Sequence, residues 1–211
     1  VDATPELPEA AEPPETRWDY ELARSFESGM DELRGLHVTD EGQIYAAGED
    51  GVRIFDETGK VLNELETPDP ARCLTLDADG NLWVGMGAKV AQYDPKGKLV
   101  TSWGKEGRKQ GELSYVTGIA VHGINVLVAD SGNRVVHRFD LTGDFINSIG
   151  ERDPQEGFVG IVLPSPALEC HVDEEGRVHI NNSGRLRVET YRLNGELVGH
   201  WGEAGLAAEK F

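Results

Sequence analysis

One short pattern occurs four times in this chain: an aromatic residue, three turn residues and a glycine. The copies are Phe55-Asp56-Glu57-Thr58-Gly59, Tyr93-Asp94-Pro95-Lys96-Gly97, Phe139-Asp140-Leu141-Thr142-Gly143 and Tyr191-Arg192-Leu193-Asn194-Gly195, at separations of 38, 46 and 52 residues. An element that recurs at such a period excludes a single irregular core. It requires a row of equivalent units, because one such unit cannot bury its apolar faces alone and must stack on its neighbours.

The best-formed copy lies within Val126–Gly150, VLVADSGNRVVHRFDLTGDFINSIG. Apolar residues alternate through Val126 and Val128, through Val135 and Phe139, and recur at Phe145, Ile146 and Ile149. Asp-Ser-Gly-Asn and Leu-Thr-Gly-Asp separate the runs, so the segment reads as three antiparallel strands joined by tight turns. Each copy is preceded by a further apolar strand, at Leu36–Val38, Leu74–Leu76, Ile119–Val121 and Cys170–Val172. Four strands per unit predict an all-β fold, a β-propeller of four-stranded antiparallel blades at about 34–66, 71–104, 115–150 and 167–202. The 26 glycines supply the turns, and no window keeps a helical apolar stripe for more than about two turns.

In Asp130, Asn133, Arg134, Phe139, Asp140 and Gly143 the third unit resembles an NHL repeat position by position. The other units are degenerate. Residues 48–52 and 85–90 lack the Asp and Asn, while Asn182 and Arg185 approximate them. The resemblance implies a propeller whose usual number of blades is six, so four blades form an open or incomplete ring. It also implies a non-catalytic binding or scaffold domain that takes a protein, a peptide or a small polar ligand on its top face. The alternative is a propeller enzyme, a metal-dependent lyase or lactonase-like hydrolase with its site at the central channel.

The two ends of the sequence carry expectations of their own. Residues 1–16, VDATPELPEAAEPPET, are acidic and rich in Pro and Glu, and read as a disordered leader. Such a leader fits an exported protein, with a membrane tether through a removed N-terminal signal, or a plain linker. Glu21–Phe26 resembles Lys98–Trp103 and Glu196–Trp201, which predicts an orphan outer strand within residues 18–28 that completes another blade. Leu113 lies ten residues beyond Trp103-Gly104, near the start of a new blade, and Phe211 stands at the same distance beyond Trp201-Gly202. At least one further blade is therefore expected after Phe211.

With 38 acidic against 20 basic residues the formal net charge is −18, which repels nucleic acid and anionic membrane surfaces. No apolar run is long enough for a transmembrane helix. The candidate ligand contacts at the mouths of the inner strands are Arg72, Thr117 and Glu169, beside Arg34 and Gly118. Those in the top-face loops are Asp130, Arg134, Asn182 and Arg185. Asp130, Asn133 and Arg134 have a competing role in satisfying turn backbone.

Cys73 and Cys170 lie two units apart, so free thiols are expected. Cys170 and His171, beside Glu169 and His179, are weak metal candidates, since adjacent strand residues point to opposite faces and no tight ligand spacing exists. No cofactor is expected on this reading, a metal ion being the lesser alternative. Trp83, Trp103 and Trp201 read as inter-blade core. The insertion Glu151–Ala167, with apolar Phe158–Leu163, reads as a cover for the top face or a partner site.

Overall fold

The computed structural model describes residues 21–151, 161 and 167–202. The leader, most of the Glu151–Ala167 insertion and residues 203–211 lie outside the described residues. The rest forms four antiparallel sheets of four strands each, in simple sequence order. Blade 1 holds β1 (Leu33–Val38), β2 (Ile44–Gly48), β3 (Gly51–Phe55) and β4 (Val61–Leu65). Blade 2 holds β5 (Cys73–Leu76), β6 (Leu82–Met86), β7 (Lys89–Tyr93) and β8 (Leu99–Trp103). Blade 3 holds β9 (Val116–His122), β10 (Asn125–Asp130), β11 (Val135–Asp140) and β12 (Phe145–Ile149). Blade 4 holds β13 (Cys170–Val172), β14 (Arg177–Asn182), β15 (Arg187–Arg192) and β16 (Leu197–Trp201).

The recurring aromatic-turn-glycine pattern combines a self-capping turn in three blades with a left-handed glycine and a bulge in all four. In the first three blades the turn Asp folds its carboxylate back over the turn. Asp56 accepts from Thr58 N (2.8 Å) and Lys60 N (3.0 Å), Asp94 from Lys96 N and Lys98 N (2.9 Å each), and Asp140 from Thr142 N (2.8 Å) and Asp144 N (3.0 Å). The glycine that follows is left-handed in every blade, with φ between +80° and +93°. The third and fourth strands slip register at the aromatic residue in all four blades, so one bulge recurs around the arc.

The core lies between blades. Ala47 and Val52 pack with Leu74, Val84, Met86 and Tyr93. Trp83 and Val90 pack with Val116, Ile119, Val126 and Phe139. Leu127, Val136 and Ile149 pack with Cys170, Val178, Ile180 and Tyr191. On the channel side β1 lies against β5, β5 against β9 and β9 against β13, and no comparable β13–β1 contact closes the row among the described residues. The architecture is a β-propeller with an open ring.

In β4 and β8 the last apolar residue of the outer strand acts as a knob on the next blade's turn, whereas the Gly195 turn meets Ser148 O (3.2 Å) instead. A Cβ placed on Gly143 would lie 2.6 Å from Trp103 Cδ2, and one on Gly97 would lie 3.7 Å from Leu65 Cδ1. Phe26 occupies the corresponding place ahead of blade 1: its ring lies 5.2 Å from that of Phe55, and a Cβ on Gly59 would sit 2.7 Å from Phe26 Cδ1.

Two expectations are corrected here. Residues 21–32 form no strand, so Phe26 fills the knob position without a hydrogen-bonded ladder. Arg53 Nη1 to Ser28 O (2.7 Å) and Arg24 Nη1 to Glu57 O (2.5 Å) hold that segment instead. Of the three tryptophans, Trp83 is fully buried and Trp103 half-buried, whereas Trp201 is 58% exposed, because no described blade lies against its side of blade 4.

Candidate functional site at the channel mouth

The register of the inner strands brings Arg34, Arg72, Tyr115, Thr117 and Glu169 around one hollow of about 220 Å³, with all four blades contributing. Arg72 lies over the Tyr115 ring, 4.1 Å from its centroid, and its Nη1 donates to the Tyr115 hydroxyl. This cation–π clamp joins blade 2 to the start of blade 3. Arg34 is held by two carboxylates, Glu32 (2.5 Å) and Glu49 (2.6 Å), so its charge is already balanced. Arg72 makes no ion pair among the described residues. Thr117 Oγ1 donates to Leu168 O (2.7 Å) and so fastens blade 3 to blade 4.

Glu169 is placed by a close approach. A Cβ on Gly118 would lie 2.5 Å from Glu169 Oε2 and 3.1 Å from its Cα, so only glycine lets blade 4 come this near. Cys73 pairs with Gly85, and Asn181 N donates to Glu169 O (3.1 Å) at the matching level of blade 4. Glu169 thus stands level with Cys73, one residue further along the strand than Arg72, and not at the position equivalent to Arg72. Its side chain borders solvent, yet the wall beneath strips water from the carboxyl and pushes its pKa up to about 7.

The remaining sequence candidates lie elsewhere. Asp130 is fully buried and accepts from Ser114 N (2.7 Å), Tyr115 N (3.0 Å), Asn133 N (3.0 Å) and Asn133 Nδ2 (2.9 Å). It organises the loops and indirectly sets Tyr115. Asn182 is also fully buried and donates to Glu189 (3.0 Å), a buried carboxylate that Arg187 (2.5 Å), Arg185 (3.6 Å) and the Tyr191 hydroxyl (2.7 Å) also approach. Arg134 lines a separate cleft at the edge of blade 3.

Cys73 and Cys170 are free and buried, and burial pushes both thiols up. His171 is exposed while Cys170 faces the core, so the pair diverges, and no group of three or more His, Cys, Asp or Glu side chains is placed to hold a metal among the described residues. Sequence reasoning missed Tyr115. Its signal was positional, directly before the inner strand of blade 3, but its pairing with Arg72 depends on a contact across blades.

A second hollow, of about 400 Å³, adjoins the mouth and shares Arg72. It is lined also by Asp69, Pro70, Met86, Lys89 and Glu106.

No family model and no curated protein matches this sequence. Solved structures do match the fold. A streptogramin B lyase superposes with a TM-score of 0.60 at 13% identity, over 80% of this chain and 54% of that one. A virginiamycin B lyase from Staphylococcus aureus, solved with quinupristin, gives 0.59 at 14% identity, over 80% and 55%. The computationally designed Ika4 protein gives 0.51 at 15% identity, over 86% and 96%. The chain spans about half the length of the two lyases. These likenesses define the class, an all-β propeller, and at such identities they concern the fold alone.

Proposed function

We propose that this chain is the NHL-type, non-catalytic ligand-binding part of a propeller, and that its channel mouth receives a small polar ligand bearing a carboxylate. The observation that carries the reading is the convergence of Arg34, Arg72, Tyr115, Thr117 and Glu169 from four blades on one hollow. Arg72 supplies the guanidinium, pre-oriented by Tyr115 so that little side-chain entropy is lost on binding. Glu169, neutral below about pH 7, can donate a hydrogen bond to the same ligand without repelling it. The likeness of blade 3 to an NHL repeat supports the binding role.

The test is a thermal-shift and calorimetric screen of acetate, succinate and N-acetylated amino acids against the wild type and Arg72→Ala. A carboxylate that binds the wild type should lose at least tenfold in affinity in the variant, which should still melt cooperatively although the clamp to Tyr115 is gone. Equal affinity would remove Arg72 from the site.

A second reading, a propeller enzyme at the same mouth, draws on two observations. Two structural neighbours are named as lyases, and Glu169 titrates where a general acid or base is useful. Elemental analysis of the purified protein and turnover by Glu169→Gln separate the two readings. Stoichiometric metal with turnover that depends on Glu169 would favour the enzyme.

A further inference from the structure

The second hollow, of about 400 Å³, lies over the β6–β7 turn of blade 2, between Arg72, which leads into the inner strand, and Gly104 and Glu106, which follow the outer strand. Its walls are fixed by backbone hydrogen bonds. Ala71 N donates to Gly48 O (3.0 Å), Arg72 N to Gly85 O (2.9 Å) and Val116 N to Gly87 O (2.8 Å). A Cβ on Gly104 would lie 2.9 Å from Lys89 Cα, so the segment after β8 presses closely on the turn. Over Gly87 the space is open, since a Cβ there would meet nothing within 4 Å.

The hollow carries opposite charges on residues of different elements. Arg72 belongs to the mouth as well and rests on Tyr115, whereas Glu106 lines the second hollow only. Leu113 N donates to Lys105 O (2.8 Å) and Gly107 N to Leu113 O (2.9 Å), and Leu113 is fully buried, so the backbone that carries Glu106 is a fixed frame. The adjacent Lys105 is committed to Glu112 (2.7 Å), and Glu106 makes no ion pair among the described residues. Lys89 and Asp69 face each other at 3.7 Å and offset one another. Met86, Pro70 and Ala88 supply apolar surface in the same hollow.

We infer that the ligand is a zwitterion, an ω-amino carboxylate whose carboxylate meets Arg72 and whose methylene chain crosses the second hollow to bring its ammonium against Glu106. The inference rests on the carboxylate reading of the mouth and names the ligand class for it. Two physical arguments favour a zwitterion over a plain carboxylate. The second charge gains attraction from a carboxylate that has no other counter-charge, and the apolar residues receive the methylenes. A ligand of no net charge also escapes the repulsion that a chain of net charge −18 exerts on an anion. Asp69 draws the ammonium and Lys89 opposes it, so Glu106 decides the preference.

The test is calorimetric titration of the full chain with γ-aminobutyrate and ε-aminocaproate, beside butyrate and caproate, with hexylammonium as the control for a cation alone. At least one amino carboxylate should bind about threefold or more tighter than its plain counterpart. In Glu106→Gln the ratio of the two affinities should fall to about one, and in Arg72→Ala both should weaken by about tenfold or more. Glu106 is exposed, so its substitution keeps the fold, and a melting curve checks this in the same samples. Plain carboxylates that bind through Arg72 with no gain from the amino group would overturn the inference and leave the mouth reading in place. A gain that persists in Glu106→Gln, or hexylammonium bound as tightly as ε-aminocaproate, would overturn it equally. No binding by either kind of carboxylate, or binding indifferent to Arg72, would overturn the mouth reading and this inference with it.

Discussion

Replacing Gly143 with alanine tests the knob-on-turn contact between blades most directly. Two costs arise, and the repeat lets them be separated. The backbone at Gly143 has φ +92°, and forcing an L residue there costs roughly 1–2 kcal/mol. The new methyl would also lie 2.6 Å from Trp103 Cδ2 and 2.9 Å from Cδ1, and Trp103 is wedged against Phe139 at 4.8 Å between ring centroids. Overpacking of this kind costs about 1–3 kcal/mol. At Gly97 the backbone strain is similar, with φ +80°, but the nearest atom is Leu65 Cδ1 at 3.7 Å, so the second cost vanishes.

Gly143→Ala is therefore expected to lose about 2–5 kcal/mol and Gly97→Ala only about 1–2. In a chain of this size that is roughly 4–20 °C against roughly 2–8 °C in melting temperature. Circular dichroism melts of both variants measure the difference. Trp103→Leu should rescue part of the Gly143→Ala loss, because Leu65 shows that leucine tolerates a Cβ at that turn, and the double-mutant cycle should show a coupling of about 1–3 kcal/mol. Equal losses at Gly143 and Gly97, or strict additivity with Trp103→Leu, would refute the contact.

Other expectations follow from the site. The carboxyl of Glu169 is raised from 4.5 to about 7, so the folded state holds its proton more tightly than the unfolded state does. The stability it contributes is complete below about pH 4.5 and is lost as pH rises through about 7. Glu169→Gln should remove that falling limb from a plot of stability against pH, and an unchanged plot would contradict the shift. Asp130→Asn, which sets an NH₂ against donors that now meet a carboxylate, should cost about 2–3 kcal/mol by urea titration and weaken any ligand at the mouth. Both cysteines should resist a disulfide reagent at pH 8 in the native protein and react promptly in denaturant, since burial holds the thiols protonated. Rapid native labelling would contradict their burial.

Much of the fold was legible because the repeat is carried by local chemistry. A turn Asp that caps its own backbone, a left-handed glycine and an aromatic residue at a bulge are readable one blade at a time. Arg72, Thr117 and Glu169 were legible as mouth residues by counting along the inner strands. The pairing of Arg72 with Tyr115 was not legible, because it depends on how one blade meets the next. Trp201 shows the same limit. Its sequence position matches Trp103, but burial belongs to a neighbour and not to the residue itself.

The hydrogen bond from Tyr115 N to the buried Asp130 carboxylate links two features that sequence comparison would treat separately. Asp130 is part of what makes blade 3 look like an NHL repeat, and Tyr115 is the surface on which Arg72 rests. Inheritance of the motif and inheritance of the channel mouth are thereby tied to one buried carboxylate. Blades 1 and 2 lack the Asp at this position and carry no such tie, so they can diverge with less effect on the mouth. In an engineered propeller of this type, blade 3 would be the blade to leave untouched while the other walls are redesigned for a new ligand.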